Sequence, residues 1–334
     1  MKCVKVPLKQ LNDTRIELME KGLMNMEYRI KAEDEFGYIP VNANVEGYEI
    51  VCMHLESMPK VPHNFSELLE DELTPDEIEN LRTSFDTIGD IVILEIPDDL
   101  EDKKQIIGDA ALKFTKRKAI YMKKSAIKGT TRVRDLEFLA GEDDSVTIHK
   151  EHGSRLKLDV REVYFSPRLA TERKRVMETV VDGEKILDMF CGIGPFPIVI
   201  AKNRNVDITA VDINESAIEY LNENIQLNKL KGNIETYCGD VREVSKSFNS
   251  KFDRIIMNLP GLAYTFLDVA FDLIEDGGII NYYEFSDSYE QGIKRLESAA
   301  NAVGKKVEII NCRKVKSTSP GEWHVAIDGK VRTP

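Results

Sequence analysis

The feature that most constrains the fold is an apolar run that ends in a turn containing two glycines. Residues 185–190 form the run and predict a buried strand. Gly192 and Gly194 follow at once, and residues 196–202 then predict a helix. The two glycines let the backbone pass close to a ligand because neither carries a Cβ atom. This order of strand, turn and helix predicts the first unit of a nucleotide-binding α/β domain.

Three polar residues follow later apolar runs, where such a domain holds its ligand. Asp212 ends the second predicted strand, 20 residues after Gly192, and suits the hydroxyls of a ribose. Asp240 follows a third strand and could meet an adenine edge, and Asn258 follows a fourth strand at residues 252–257. The turn lacks both the third glycine of a dinucleotide fingerprint and the lysine of a phosphate loop. The predicted cofactor is therefore S-adenosylmethionine, a nucleoside with a sulfonium tail. The residues predicted to bind it are Arg168, Asp188, Phe190, Gly192, Gly194, Pro195, Phe196, Asp212, Ile213, Asp240, Val241 and Asn258.

The chain of 334 residues is long enough for two or three domains with cores of their own. Two prolines within residues 58–62 predict a linker after a small N-terminal unit, residues 1–62. Residues 63–165 predict a second unit with a strand–helix–strand order. Residues 166–334 alternate strands with helices, which indicates a doubly wound, mostly parallel sheet.

Local patterns add detail within these segments. The acidic stretch 65–81 predicts a helical region with a capping-box start at Thr74, and residues 88–96 predict one long strand. Residues 306–310 and 324–328 predict two strands joined by a polar loop, an antiparallel hairpin that closes the C-terminal sheet.

Charge is distributed unevenly along the chain, whose formal net charge is −12. The segment from Lys113 to Arg134 has no acidic residue and nine basic ones, at 113, 116, 117, 118, 123, 124, 128, 132 and 134. Such a segment in an acidic protein predicts binding to a phosphate backbone. The fold class predicted is α/β, with a Rossmann-like class I methyltransferase sheet at the C-terminus preceded by two smaller α/β or α+β domains, and the basic segment predicts that the middle one binds RNA. The side chains predicted to contact RNA in this segment are Lys123, Lys124, Lys128 and Arg134.

Composition narrows the setting in which the chain works. No apolar run approaches the roughly 20 residues of a membrane span, and the first residues lack a signal-peptide pattern. The five cysteines are scattered at 3, 52, 191, 238 and 312, and neither they nor the five histidines have metal-ligand spacing. We therefore expect a reduced, cytoplasmic protein without a metal site. A monomer is expected because one catalytic domain and one basic segment suffice for one RNA.

Residues outside the glycine turn can carry the chemistry of methyl transfer to a ring nitrogen. A carboxylate such as Glu172 can take the N–H proton, although an acid in the first turn of a helix also stabilises the helix dipole. Arg132 can stabilise the negative charge that develops on the neighbouring carbonyl oxygen, or it can contact a phosphate. The amide of Asn258 can hold the edge of a base, and Pro260 can stack on that base.

These stretches resemble the archaeal and eukaryotic tRNA (guanine-37 N1)-methyltransferase family in order and spacing. The resemblance covers nearly the whole chain and is weaker in the first 60 residues. It implies that Glu172 is the catalytic carboxylate, that Arg132 steadies the guanine oxygen and that Asn258 positions the base. It also implies that Tyr164 and Arg168 lie near the target nucleotide. The matching motifs lie at residues 132–142, 147–151, 163–168, 188–196 and 257–260.

The resemblance further implies how the RNA is held and which product forms. The N-terminal unit would dock on the outer corner of the tRNA, and the other two segments would hold the anticodon stem-loop. The implied product is N1-methylguanosine at position 37, next to the anticodon. Close alternatives are a second methylation of the tricyclic guanine derivative of the wyosine pathway, or transfer of the aminocarboxypropyl group of the same cofactor. More distant ones are a non-catalytic tRNA-binding protein and a methyltransferase acting on ribosomal RNA or protein.

Overall fold

The computed structural model describes residues 1–58, 62–125 and 134–333, which divide into two compact units. The first unit is Met1–Glu67 and the second is Leu68–Pro334. The second unit holds both the middle segment and the C-terminal segment of the chain. The division into three domains at residues 62 and 165 therefore stays a prediction.

The first unit is a small antiparallel sheet with one helix. Its sheet has the order β2-β3-β1-β4. Leu18 of the helix packs with Val4, Val6 and Ile39 of the strands in a buried core. The elements are β1 (Lys2–Pro7), α1 (Leu11–Glu20), β2 (Lys31–Glu33), β3 (Phe36–Pro40) and β4 (Glu49–Cys52).

The middle segment contains a second sheet, of order β5-β6-β7-β8, and a separate hairpin, β9-β10. The parallel pairing of β6 with β7 confirms the predicted strand–helix–strand unit. The elements are α2 (Pro75–Asn80), β5 (Asp86–Ile88), β6 (Ile91–Leu94), α3 (Lys104–Thr115), β7 (Ala119–Lys123), β8 (Leu136–Gly141), β9 (Val146–Glu151) and β10 (Ser154–Asp159).

Two expectations for the middle segment were wrong in detail. The single strand predicted at 88–96 is a hairpin, because Gly89 turns the chain with a φ of +58° between β5 and β6. The helical stretch predicted at 65–81 is a short 3-10 turn followed by α2, because Pro75 fixes the start of the helix. The capping box at Thr74 is confirmed: the Thr74 and Glu77 side chains each bond the other residue's backbone N–H.

The C-terminal segment is built on a sheet of order β13-β12-β11-β14-β15-β17-β16. The strands from β11 to β15 run parallel and β17 runs antiparallel to its neighbours, which confirms the predicted Rossmann-like fold. The elements are α4 (Ala170–Thr179), β11 (Lys185–Asp188), α5 (Pro195–Asn203), β12 (Asp207–Asp212), α6 (Glu215–Leu227), β13 (Asn233–Cys238), α7 (Val241–Val244), β14 (Phe252–Met257), α8 (Leu267–Leu273), β15 (Ile274–Ser286), α9 (Glu290–Ala302), β16 (Lys306–Ser319) and β17 (Glu322–Arg332).

The closing hairpin is longer than its sequence predicts. The polar stretch expected to be a loop after residue 310 continues β16 as far as Ser319, and Gly321 with a φ of +82° makes the tight turn into β17. Polar residues suit this strand because it is the edge of the sheet, with a partner on one side only. The extension carries Lys316 to the same side of the molecule as the polar residues that follow β11, β12 and β14.

The strand order places the candidate site. Chain order reverses between β11 and β14, and in parallel α/β sheets ligands bind at the carboxyl ends of the strands beside such a switch point. In the segments that the structure describes, no helix has the length and apolar character needed to cross a membrane.

Candidate active site

A cavity of about 360 Å³ opens at the carboxyl edge of the C-terminal sheet, and we call it the sheet-edge cavity. Its size falls within the usual range of small-molecule sites, roughly 300–1,000 Å³. The loops that follow β11, β12, β13 and β14 form its walls. Residues predicted from the sequence that line it are Tyr164, Phe190, Gly192, Pro195, Phe196, Asp212, Ile213, Asp240, Val241, Asn258 and Pro260.

The two glycines of the turn between β11 and α5, Gly192 and Gly194, have different structural roles. A Cβ on Gly192, whose φ is +53°, would have only the Tyr164 carbonyl oxygen nearby, at 3.9 Å, so this backbone faces open space in the cavity. A Cβ on Gly194, whose φ is +82°, would overlap the Leu221 side chain of α6. The first glycine therefore leaves room for a ligand, and the second lets the turn pack closely against a helix.

Asp212 is fixed by the backbone at the mouth of the same turn. One carboxylate oxygen accepts the Gly192 N–H at 2.7 Å and the other accepts the Asn214 N–H at 2.9 Å. Burial raises the pKa of Asp212. Each oxygen keeps a further lone pair, so the carboxylate can still accept hydrogen bonds from the two hydroxyls of a ribose.

Asp188 lies just behind this wall at the end of β11, and its side chain is buried. Its Oδ1 accepts the Phe190 N–H at 3.2 Å, while Oδ2 has no hydrogen-bond partner among the described residues. Burial raises the pKa of Asp188 to about 8, and the charge of Asp212 adds to the effect. A cation placed at this end of the cavity would therefore favour the ionised form of Asp188.

Asp240 and Arg242 form the wall beside β13. The Arg242 Nε atom lies 3.0 Å from Asp240 Oδ1, and its guanidinium stacks 4.8 Å from the centre of the Phe266 ring. The hydrogen bonds from Arg242 lower the pKa of Asp240. Asp240 is thus an ionised acceptor at the cavity wall, which suits the amino group of adenine.

The opposite end of the cavity is formed by the loop after β14. The Asn258 side chain lines it, and the buried Oδ1 atom of Asn258 has no hydrogen-bond partner within the described part of the chain. Pro260 lies beside it, with Phe285 of β15 and His324 of β17. A buried amide oxygen without a partner is costly in free energy, so this end of the cavity suits a ligand with N–H donors.

Glu172 does not belong to the described lining of the cavity. Its carboxylate is buried beneath α4, where the Tyr283 hydroxyl donates to Oε1 at 2.8 Å and Arg175 Nη2 donates to the same oxygen at 2.7 Å. Arg313 Nε lies 3.5 Å from Oε2. The Tyr283 ring contacts the rings of Phe196 and His324, both of which line the cavity. Glu172 is therefore one layer of side chains away from the cavity.

A second and larger depression, of about 850 Å³, lies between the middle segment and the C-terminal sheet, and we call it the basic cleft. Three of the cations predicted to contact RNA line it with Arg168, and Lys316 joins them from β16. Arg168 was expected both at the cofactor and near the target nucleotide. It lines this cleft, and its guanidinium pairs with Asp86 at 2.6 Å. The predicted cations on the cleft are Lys123, Lys124, Arg134 and Arg168.

The two depressions share a wall. Tyr164, Phe165, Ser166, Phe285 and Lys316 line both. Lys316 marks the junction, since its ammonium lies 3.4 Å from the Ser166 hydroxyl. A ligand bound in the basic cleft can thus present one of its groups to the sheet-edge cavity.

Two of the predicted site residues, Arg132 and Lys128, lie outside the described residues. The basic segment is also partly neutralised, because Lys118 pairs with Asp144 and Lys124 pairs with Glu101. Within the described ranges, no three His, Cys, Asp or Glu side chains cluster closely enough to hold a metal ion.

Several lining residues were not singled out by the sequence. Arg242 follows Asp240 by two positions, at the start of the same helix, so its closeness in sequence to Asp240 could have suggested it. Phe266, Phe285, Lys316 and His324 come from elements without any motif, and only the tertiary fold brings them to the cavity.

The cavity fits the predicted cofactor on its own chemistry. Open space over Gly192 admits a nucleoside, and Asp212 and Asp240 offer acceptors for ribose and adenine. Asp188 lies buried behind the wall, and its Oδ2, which has no partner among the described residues, favours a cationic tail nearby. Among the described residues that line the cavity, none is a lysine at a glycine-rich phosphate turn, in agreement with a ligand that carries no phosphate.

Comparison with known proteins identifies the family. The model of the TRM5/TYW2 methyltransferase domain matches residues 147–310. The models of the TYW2 N-terminal domain and of the tRNA methyltransferase 5 N-terminal domain match residues 65–144 and 3–49. These three matches follow one another along the chain.

Some individual relatives match nearly the whole chain, and others match part of it. The tRNA (guanine(37)-N(1))-methyltransferase Trm5b of Pyrococcus abyssi is 45% identical over 98% of both chains, and its crystal structure superposes with a TM-score of 0.87 over 99% of both chains, at 44% identity. A structure of aTrm5 in complex with tRNALeu gives a TM-score of 0.84 at 39% identity over 99% of both chains. A tRNA(Phe) (4-demethylwyosine(37)-C(7)) aminocarboxypropyltransferase of Methanocaldococcus jannaschii is 36% identical over 74% of this chain and 97% of its own. The chain therefore belongs to the TRM5/TYW2 methyltransferase family.

Proposed function

We propose that this protein transfers a methyl group from S-adenosylmethionine to N1 of guanosine 37 in tRNA. The observation that carries the proposal is the wall shared by the sheet-edge cavity and the basic cleft. A base turned out of an RNA held in the cleft enters the cavity where the methyl donor binds. The near-complete match to tRNA (guanine(37)-N(1))-methyltransferases supports the same conclusion.

S-adenosylmethionine, when bound, would supply an electrophilic methyl group on a sulfonium centre, and would leave as S-adenosylhomocysteine once N1 takes the methyl group and the S–CH3 bond breaks. Asp212 would accept the ribose hydroxyls, and Asp240 would accept the amino group of adenine. Asp188, buried just behind the cavity wall, would favour a cationic tail through its charge. The glycine turn keeps side-chain atoms out of the space that the nucleoside needs.

Asn258 and Pro260 position the target base at the other end of the cavity. The partnerless Oδ1 of Asn258 accepts an N–H of the guanine edge, and the ring of Pro260 packs on the base. Tyr164 lies on the shared wall, where it contacts the nucleotide as it passes from the cleft. Extruding the base costs roughly a few kcal/mol of stacking free energy, which the contacts in the cleft and cavity offset.

Glu172 is the proposed acceptor of the N1 proton, and Arg132 the proposed partner of the developing O6 charge. Arg175 and Tyr283 donate hydrogen bonds to the Glu172 carboxylate, the group proposed to accept the proton. Because the Tyr283 ring and its neighbours Phe196 and His324 separate the carboxylate from the cavity, these side chains must move aside before the N1–H group can reach Glu172. Arg132 lies outside the described residues, so its role rests on the family resemblance.

The cations of the basic cleft hold the phosphates of the anticodon stem-loop in this proposal. The first unit binds the outer corner of the tRNA, and the protein acts as a cytoplasmic monomer. The second candidate reaction, aminocarboxypropyl transfer, is favoured by the 36% identity to such an enzyme, but that match covers only 74% of this chain. The full-length match is to N1-methyltransferases.

The test is methyl transfer from labelled S-adenosylmethionine to an unmodified tRNA transcript carrying G37, with a transcript carrying A37 as its control. Mass spectrometry of the digested nucleosides identifies the product. We expect N1-methylguanosine from the G37 transcript and no methylated nucleoside from the A37 transcript. Transfer of a larger group, or a product only on a premodified guanine, would instead establish one of the wyosine-pathway activities.

A further inference from the structure

Asp86 lies at the centre of the charges that line the basic cleft. Its carboxylate accepts the Arg168 Nε–H at 2.6 Å through Oδ1, and the Lys123 ammonium lies 3.4 Å from Oδ2. The Asp86 side chain is only 16% exposed, whereas that of Arg168 is 53% exposed. One mostly buried carboxylate thus contacts two cations, one from the strand β7 and one from the turn before α4. Glu95 is a second and more distant partner of Lys123, at 3.8 Å.

The cleft nevertheless retains a surplus of positive charge. Arg134 and Lys316 also line it, and neither makes a salt bridge with any described residue. The buried Nε atom of Arg134 has no hydrogen-bond partner in the described part of the chain. Burial lowers the pKa of Lys123, and the charges of Arg134 and Arg168 lower it further against the opposing effect of Asp86. These cations therefore repel one another and need an anion.

A carboxylate and a phosphate meet a guanidinium with the same chemistry. Each can accept two parallel N–H···O hydrogen bonds from an arginine guanidinium through a pair of its oxygens. Burial raises the pKa of Asp86, but the contacts with Arg168 and Lys123 lower it further than burial raises it. Asp86 is therefore an anion between these two cations. An RNA phosphate that approached Arg168 and Lys123 would meet a site that already holds a negative charge.

We propose that Asp86 occupies, in the free protein, the place that an RNA phosphate takes on binding, so that the RNA must displace this carboxylate from Arg168 and Lys123. The inference rests on the proposed function, because it takes tRNA as the ligand of the cleft. Asp86 keeps the two cations in position before RNA arrives and makes entry of any anion into the cleft less favourable. Its role is to set the strength of RNA binding, not to react.

Replacement of Asp86 by Asn tests this competition. Asn has nearly the same shape but no charge, so Arg168 loses its anion and Lys123 keeps only Glu95, at 3.8 Å, which leaves both cations more available to phosphate. We expect Asp86→Asn to tighten binding of an unmodified tRNA transcript by about threefold to tenfold at fixed salt, the range for partly exposed charge pairs. Fluorescence anisotropy of labelled transcript gives the dissociation constants.

The matched control is Asp98→Asn, which removes the same charge from the lining of the same cleft. Asp98 is exposed and makes no salt bridge with a described residue, so its loss should tighten binding by less than about twofold. Equal tightening by both variants would show a general charge effect and overturn the competition. Weaker tRNA binding by Asp86→Asn would overturn it as well, since Asp86 would then position Arg168 in the complex.

A double-mutant cycle with Arg168→Ala makes the test specific. If Asp86 competes with phosphate, the loss of affinity on Arg168→Ala is larger in the Asp86→Asn background than in the wild type. An equal loss in the two backgrounds would contradict the proposal. Asp86→Ser, which is neutral and smaller, repeats the measurement should the Asn variant fail to fold, and binding of S-adenosylhomocysteine reports the folded fraction.

The wild-type protein separates the two levels of inference. If it neither binds nor methylates the G37 transcript, the proposed function fails. If it does both and Asp86→Asn leaves the tRNA affinity unchanged, the proposed function stands and the role given to Asp86 is wrong.

Discussion

The Glu172 carboxylate has two roles with conflicting requirements, one in the stability of the fold and one in the proposed proton transfer. As a buried ion it needs the hydrogen bonds from Arg175 and Tyr283. As the proposed base it must become accessible to the N1–H group of guanine, although the Tyr283 ring now lies between the carboxylate and the cavity. The hydrogen bonds to such a carboxylate stabilise the fold, but the carboxylate can act as a base only when the substrate can reach it. We therefore expect substitution of Glu172 to change both the free energy of unfolding and the rate of methyl transfer.

Glu172→Gln keeps the size of this side chain and removes its charge. We expect the rate of a single turnover to fall by about 100-fold or more, the usual contribution of a general base, while the tRNA dissociation constant changes by less than about twofold. Rapid quench with labelled cofactor measures the rate. Tyr283→Phe is the control, because it removes one hydrogen bond and leaves the carboxylate in place. Equal rates for the two variants would make Glu172 a structural ion only.

Asp188 links the stability of the cofactor-free protein to pH. Burial raises its pKa to about 8, whereas an aspartate in the unfolded chain has a pKa of about 3.9. Between these values the folded protein holds a proton that the unfolded chain has released. The free energy of unfolding therefore falls as the pH rises from about 4 to about 8, by at most about 1.4 kcal/mol per pH unit.

Urea unfolding of the cofactor-free protein at pH 5.5 and pH 7.5, at constant ionic strength, checks this slope. Asp188→Asn should flatten it, because the neutral amide resembles the protonated acid and does not titrate. S-adenosylmethionine should also bind the wild type more tightly at the higher pH, with release of a proton. A slope that is the same with and without the Asp188 carboxyl would assign the pH dependence to other groups.

At the scale of elements, the turn between β11 and α5 separates packing from ligand space. Gly194→Ala would place a Cβ against Leu221 in a left-handed conformation, and we expect it to lower the free energy of unfolding by about 2 to 4 kcal/mol. Gly192→Ala faces open space and should cost only about 1 kcal/mol. It should instead weaken binding of S-adenosylmethionine, which isothermal calorimetry measures. The reverse order of the two stability losses would contradict the division of roles.

Apolar runs predicted the parallel strands of the C-terminal sheet because each such strand is buried on both faces. The strand at 252–257 lies where its sequence places it, and α5 begins at Pro195, one residue before its predicted start. Predictions of secondary structure were wrong at one place where a single residue makes a turn and at another where the position of a strand in the sheet decides its length. Gly89 breaks an apolar run that otherwise continues across it, and the polar residues after 310 continue a strand because of their place at the sheet edge.

At the scale of the whole molecule, the candidate site could be predicted only in part. Asp212, Asp240 and Asn258 follow buried strands, so the rule that ligands bind at the carboxyl ends of parallel strands was enough to bring them together. The basic cleft had no such rule. Asp86, Arg134 and Lys316 come from distant parts of the sequence, and no local pattern shows that a carboxylate lies among the cations or that β16 supplies another one.

The unpaired cations of the cleft should determine how strongly salt weakens tRNA binding. Each phosphate contact releases a counterion, so the logarithm of the affinity falls with the logarithm of the salt concentration by about 0.7 to 0.9 per contact. Arg134→Ala and Lys316→Ala should each make this slope less negative by about that amount, because neither cation is neutralised by a described carboxylate. Anisotropy titrations of a tRNA transcript over a range of KCl concentrations measure the slope.

Lys246→Ala is the control for this prediction, since its ammonium pairs with Glu243 on the surface and it lines neither depression. It should leave the slope unchanged. If Lys316→Ala lowered the rate of methyl transfer and left the salt dependence of tRNA binding unchanged, Lys316 would act on the base at the shared wall instead of on a phosphate. The salt dependence thus tells whether the junction between cleft and cavity serves to hold the RNA or to orient the nucleotide that enters.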